Sequence, residues 1–312
     1  MQTRSDTSAF HGVWTTVLCP VNASGQVDLS AIDSQVAAYA AAKCDGVYTG
    51  GTAAEFHSQS DNEFQAMSEC LASSARAHGL PFQISAAHPL APGSLARIAI
   101  AAKFKPDAIQ VTLPDWTAID LPTAQRFLER AAHAADGIPL VLYNPPHAKT
   151  VLSPDDLLAL AKTHQNLIGL KCGGGDAAWY KKMAPLFDRL SVFIAGHHYA
   201  SGTAQGAHGS YSNMACLSPR AAVAWKTMSA SDAAALEARV GMFLDEAIAP
   251  LLARGLPGFA CDKAMAAAGS WADISPRLLW PYGGATDDEV ACILGSARRH
   301  IPEFIDEEIH VE

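Results

Sequence analysis

The 312 residues are 49% hydrophobic and 17% charged, which is enough apolar material for a sizeable buried core. With 31 acidic against 22 basic side chains the net charge is −9, which argues against nucleic acid or an anionic membrane as the principal partner. No window approaches the roughly 18 apolar residues of a membrane span.

The opening residues MQTRSDTSAF lack the apolar stretch of a secretion signal. The seven cysteines are scattered, odd in number and free of CxxC pairs, so the expectation is a reduced, cytoplasmic protein. GVWTTVL, from Gly12, predicts a first strand, and DLSAIDSQVAAYAAAK, from Asp28, has the alanine-rich amphipathic pattern of a helix. Further strands are predicted at DGVYTGG (from Asp45), PFQISAA (from Pro81), DAIQVTL (from Asp107) and IPLVLYN (from Ile138). SPDDLLALAKTH reads as a helix in which Ser153 is the N-cap, Pro154 suits the first turn, and Asp155 and Asp156 complement the dipole. LIGLKC (from Leu167), SVFIAG (from Ser191) and GAHGSYS (from Gly206) complete a set of eight strands.

Strands and helices alternating in this way predict repeated βαβ units and a parallel sheet. Eight is the number that closes a TIM (β/α)8 barrel, with an open doubly wound sheet as the alternative that periodicity leaves. From Ala230 the chain reads as helices only. The expected organisation is a barrel catalytic domain over 1–229 and a helical extension, packed on it, over 230–312.

In a barrel the chemistry gathers where strands end and βα loops begin. The polar residues there are Thr49, Thr52 and Glu55, then His88, Asp115 and Trp116, and then Tyr143 and Asn144. Lys171, His197, His198, His208, Ser210 and Ser212 complete the set. Lys171 stands out because lysine is almost never fully buried unless paired. Desolvation lowers its pKa and makes the amine a nucleophile toward carbonyl carbon, whereas the plainer alternative is a buried stem with its head in water. Lys171 and Tyr143 fall on adjacent strands and can point into one mouth.

At these residues the chain resembles the dihydrodipicolinate synthase and N-acetylneuraminate lyase family of pyruvate-dependent class I aldolases. GGTAAEF is similar to that family's GGTTGE loop, YNPP to its Y-N-x-P, and GLKCGGGD to the segment with the Schiff-base lysine. GAHGSYSN resembles the glycine-rich eighth strand, and GQVDLSAI the N-terminal opening. The resemblance implies that Lys171 condenses with a 2-keto acid such as pyruvate, that Tyr143 shuttles the proton, and that no metal or cofactor is required. It further implies that Thr52 and the backbone N–H groups of the Gly51–Ala53 turn hold the carboxylate. Gly196 would keep the ring of loops open, and a homotetramer is the implied assembly.

The chain departs from the family at four places. Ala53 replaces the second threonine of the loop. Trp116 stands near the place of a tyrosine that reaches across a subunit interface, and its N–H only donates. The arginine after Y-N-x-P is absent from HAKT, which removes the fork-shaped group suited to a carboxylate-bearing aldehyde. Histidines occur at His147, His197, His198 and His208, consistent with a hydroxyl-rich or acidic substrate tail that they meet together with Ser210 and Trp116. A zinc site is the sharper alternative, but metal-ligand spacing is lacking. His57 and His88 read as loop-bonding residues. The expected activity is a lyase that splits or forms a 2-keto acid with pyruvate. A dehydratase or hydratase-aldolase acting on a 3-deoxy-2-keto sugar acid or an arylidene pyruvate is the alternative. Dihydrodipicolinate synthesis proper ranks lower, and a non-catalytic keto-acid binding protein ranks last.

Overall fold

The computed structural model describes residues 10–305, so all but the last of the residues read for a leader lie outside it. Eight short strands alternate with helices. They are β1 (Gly12–Thr16), β2 (Gly46–Thr49), β3 (Phe82–Ser85), β4 (Ala108–Thr112), β5 (Leu140–Asn144), β6 (Leu167–Cys172), β7 (Ser191–Ala195) and β8 (Gly209–Tyr211). All pair in parallel in chain order, and β8 returns to β1, closing the barrel. The first seven helices are α1 (Ile32–Ala41), α2 (Asp61–Ala77), α3 (Ala91–Lys103), α4 (Leu121–Ala134), α5 (Pro154–Thr163), α6 (Ala177–Phe187) and α7 (Tyr199–Ala204). After β8 come α8 (Met214–Leu217), α9 (Pro219–Trp225), α10 (Ala230–Phe243), α11 (Ala249–Ala253), α12 (Gly258–Gly269) and α13 (Asp287–His300). None of the described helices is long and apolar enough to cross a membrane.

Local chemistry sets several boundaries. Ser153 caps α5 reciprocally with Asp156, the hydroxyl accepting from the Asp156 N–H and the carboxylate accepting from the Ser153 N–H, a device worth about 1 kcal/mol. The helical stretch that begins at Ala230 is interrupted, because Leu244–Ile248 widens into a π turn. Pro250, lacking an N–H, cannot give the bond an unbroken α-helix would make to Glu246, and the backbone accommodates the gap there.

Two apolar cores flank the barrel wall, and a third fills it. The larger packs the outward strand residues Val47, Ile84, Ile109, Leu142, Leu170 and Val192 under the surrounding helices. The second lies beneath α8 to α13 and continues into the barrel through Val13, Leu18 and Ala53. Inside, Phe10 and Trp14 plug the end where the strands begin, and Tyr48, Phe193 and Tyr211 rise toward the end where they finish.

Candidate active site

The register of β5, β6 and β7 puts Tyr143 opposite Lys171 and Lys171 opposite Phe193, so all three side chains point inward on one level. Lys171 therefore points into the barrel and is part-buried where its strand ends at the mouth. Its Nζ donates to the Tyr48 hydroxyl at 2.9 Å. It lies 4.3 Å from the ring centre of Tyr143, 4.7 Å from that of Tyr48 and 5.1 Å from that of Tyr211. Burial lowers the pKa of the amine to about 8, while the charges of Asp262 and Cys216 act to raise it. Among the described residues no carboxylate comes within ion-pair distance of it. Lys171 as a whole is part-buried, and its amine is held against the Tyr48 hydroxyl among three tyrosine rings.

Burial raises the pKa of Tyr143 to about 12, and the Thr52 hydroxyl beside it acts in the opposite sense. Thr52 opens the 3-10 turn Thr52–Ala54, which Gly51 enters in extended conformation. The N–H groups of Ala54, Glu55 and Phe56 are used within this turn, whereas those of Thr52 and Ala53 make no hydrogen bond among the described residues. A Cβ on Gly51 would stand 2.8 Å from the Tyr48 ring, so glycine lets the loop lie against the tyrosine that holds Lys171. Ala53 is buried in the core beneath the C-terminal helices. Thr52 and Tyr143 line a cavity of about 60 Å³ with Phe56, Thr112, Leu113 and Pro145, and His147 stands at its edge. No arginine lines it. Arg97, though buried, is committed to Asp61 and to the carbonyls of Phe56, Gln59 and Ala87.

The remaining candidates scatter. Gly196 is a close-packing glycine, since a Cβ there would lie 2.3 Å from Ser212 Oγ and 2.8 Å from Ser212 Cα. His197 bonds to Asn213 Oδ1 through both its backbone N–H and its ring at 3.1 Å, and its ring centre lies 4.2 Å from that of His198 at a tilt of 49°. Burial, and then His198, lower its pKa. Both histidines line a groove between α7 and α10, and His198 Nδ1 lies 3.9 Å from Glu237. Trp116 is 75% exposed, with the Lys149 ammonium over its ring and bonded to its carbonyl.

Two expectations need correction. His208 precedes β8, so it lies at the closed end of the barrel, where its Nδ1 accepts from the Val192 N–H. Ser210 pairs with Val13 and Ile194, which face the flanking cores, and it points away from the mouth with them. The inward residue of β8 is Tyr211, whose hydroxyl donates to Gln83 Oε1 at 2.6 Å. His88 accepts from the Leu90 N–H as a loop-bonding residue, but His57 instead sits among the rings of Phe56, Phe259 and Tyr282.

The sequence reading missed Tyr48, Tyr211 and Asp262. Strict alternation along GVYT and GSY, taken from Trp14 as an inward residue, would have found the two tyrosines. Asp262 offered only one signal, a carboxyl beside Lys263 in a helix whose other residues are uncharged.

A sequence profile of the Dihydrodipicolinate synthetase family matches residues 9–245. Curated relatives include two named 4-hydroxy-tetrahydrodipicolinate synthase. The protein from Pseudoalteromonas atlantica is 40% identical over 91 residues, which is 28% of this chain and 30% of that one. The protein from Exiguobacterium sibiricum is 25% identical over 186 residues, 59% of this chain and 62% of that one. The chain thus matches less than two thirds of the length of either. Among solved structures, a prophage protein of the dihydrodipicolinic acid synthase family from E. coli K12, in complex with pyruvate, superposes with a TM-score of 0.82. It is 19% identical over 93% of this chain and 98% of that one, a likeness of fold.

Proposed function

Because the chain belongs to the dihydrodipicolinate synthetase family, a family of lyases, we propose that it is a class I aldolase that forms or cleaves a 2-keto acid, with pyruvate as the keto-acid partner held as a Schiff base on Lys171. The observation that carries this reading is the position of Nζ. It is part-buried inside the mouth, bonded to a phenol and, among the described residues, unpaired with any carboxylate. An amine so placed reaches its neutral, nucleophilic form near physiological pH, and the iminium it forms is the electron sink that stabilises a carbanion when a C–C bond breaks.

The other roles follow from position. The free N–H groups of Thr52 and Ala53, with the Thr52 hydroxyl, hold the keto-acid carboxylate as a small anion nest. Tyr143, beside both Thr52 and Lys171, moves the proton at the substrate hydroxyl. No metal or cofactor enters this scheme. The helices after residue 230 serve, over the described residues to 305, as an extension packed on the barrel. A homotetramer in the cytoplasm is the expected setting, which light scattering on the purified protein tests.

A second reading, a dehydratase or hydratase-aldolase on the same lysine, is favoured by the lining of the 60 Å³ cavity, where Phe56, Leu113 and Pro145 meet Thr52 and no guanidinium is present. That lining suits an uncharged or aromatic partner aldehyde better than a carboxylate-bearing one, which argues against dihydrodipicolinate synthesis proper. Borohydride reduction in the presence of pyruvate tests both readings together. Mass spectrometry should find the reduced adduct on Lys171 and none in Lys171→Ala; an unmodified wild type would refute them. A panel of 2-keto acids, scored for pyruvate release against dehydration, then separates the two.

A further inference from the structure

Two tyrosines stand beside Lys171, and they present different parts of themselves to its amine. Tyr48 is the inward residue of β2, next to Val47, which faces the outer core. In the closed order β2 stands opposite β6, so Tyr48 and Lys171 meet across the barrel axis. There the Tyr48 hydroxyl accepts from Nζ at 2.9 Å. Tyr143, on the neighbouring strand, has Nζ over its ring at 4.3 Å from the centre, and its hydroxyl lies beside that of Thr52. Among the described residues no hydrogen bond joins Nζ to the Tyr143 hydroxyl. One phenol thus offers the amine its oxygen and the other its face.

The Tyr48 ring is fixed before any substrate arrives. It is 4% exposed. It meets Tyr211 edge-on, with centres 5.1 Å apart and planes at 84°, and Tyr211 is itself tied to Gln83 at 2.6 Å. Gly51 lies against its edge, where a Cβ would come within 2.8 Å of the ring. The hydroxyl's other polar neighbour is Thr16, which pairs with Tyr48 in the register of β1 and β2. Packing accounts for the ring but not for its oxygen, since a phenylalanine would fill the same space.

We propose that Tyr48 is the catalytic proton relay of imine formation on Lys171, a role separate from that of Tyr143 at the substrate hydroxyl. The inference rests on the Schiff-base reading and deepens it. A relay must accept and donate at one atom, which a phenol does and the indole of Trp116 does not. Because the Tyr48 oxygen accepts from nitrogen, its own hydrogen remains available to give. Burial keeps that hydrogen in place well beyond neutral pH.

The step balances without ionising the phenol. The Lys171 ammonium first releases one proton to solvent. The neutral nitrogen then forms a bond to C2 of the keto acid, and the C=O π pair moves to oxygen. Tyr48 gives its O–H hydrogen to that oxygen and takes one hydrogen from the nitrogen, so the phenol is restored and a neutral carbinolamine results. Finally the nitrogen lone pair forms the C=N bond, and the C2 hydroxyl leaves as water with a proton regained from solvent. One hydrogen stays on the iminium nitrogen, within reach of the Tyr48 oxygen.

The test is the rate of pyruvate trapping by excess cyanoborohydride, measured between about pH 6 and 9 in the full-length wild type and Tyr48→Phe. Tyr48→Phe should lose about 100-fold at every pH in the range. Its half-saturating pyruvate concentration should stay within about twofold of wild type, because the Thr52 turn that receives the carboxylate is untouched. On its high-pH plateau the wild type should trap about twofold more slowly in D2O, an effect that a packing role does not produce. A Tyr48→Phe rate within about twofold of wild type throughout would overturn the inference while leaving Lys171 chemistry intact. A loss confined to one end of the range, as a displaced amine titration alone would give, would also overturn it. Should Tyr48→Phe fail to fold, equal wild-type rates in H2O and D2O would overturn it without the variant. Failure of the wild type itself to trap pyruvate refutes the Schiff-base reading and this inference with it.

Discussion

Lys171 is poised by what surrounds it, and that poise has a cost. Three tyrosine rings within about 5 Å and a single phenol bond replace the water an ammonium ordinarily keeps. The folded-state pKa of about 8 lies below the ordinary 10.5. The unfolded chain therefore binds more protons between these values, and stability should rise with pH across that window. Lys171→Met, which removes the buried charge, should raise the melting temperature at pH 7, and its advantage should shrink as pH climbs from about 8 toward 10.5. Thermal denaturation of both proteins across that range checks this, and a pH-independent gap would contradict it. The same pKa sets the chemistry. The pyruvate adduct on wild-type Lys171 should form faster as pH rises to about 8 and level off above it, as read by the initial rate of borohydride trapping. At Gly196 a methyl group has nowhere to go, because both the side chain and the backbone of Ser212 stand in its place. Gly196→Ala should cost about 1–3 kcal/mol in urea unfolding, and Ser212→Ala should restore only part of that, since the Ser212 Cα remains in the way.

At the level of elements, the loop after β2 and helix α12 form one unit. Glu55 adopts a left-handed conformation at φ 59° so that its carboxylate turns inward to meet Lys263 and the Leu279 N–H. A fully buried pair of this kind adds little net stability over apolar residues of the same volume, but a broken one leaves an uncompensated charge. Lys263→Met alone should therefore destabilise by about 3–5 kcal/mol, and the Glu55→Gln/Lys263→Met double variant should recover most of that loss in chemical denaturation. If the single and double variants lose equally, the two residues are not coupled as described.

For the whole molecule, the barrel and the helices after it share a core. Val13, Leu18 and Ala53 of the barrel belong to the same cluster as Met214, Phe243, Ala264 and Phe304. The two parts should therefore unfold together, in one calorimetric transition and not two. Much of this architecture was open to a reading of residues alone. Short apolar runs, eight in number, and the capped amphipathic helices between them follow from local backbone geometry and hydrophobic patterning, and β6 was read to its observed limits at Leu167 and Cys172. The adjacency of Tyr143 and Lys171 was legible too, because neighbouring strands of a parallel barrel carry equivalent ends into one mouth. His208 and Ser210 were misjudged because a three-residue strand hides which end faces the mouth and which face turns inward; a shift of one residue reverses the side chain. Asp262 was beyond such a reading altogether. Asp262 and Lys171 lie far apart in the sequence, so any electrostatic influence of one on the other arises only in the folded chain. Local pattern determines which segments become strands and helices. Only closure and burial decide which charges face one another and in what dielectric, and the chemistry depends on that.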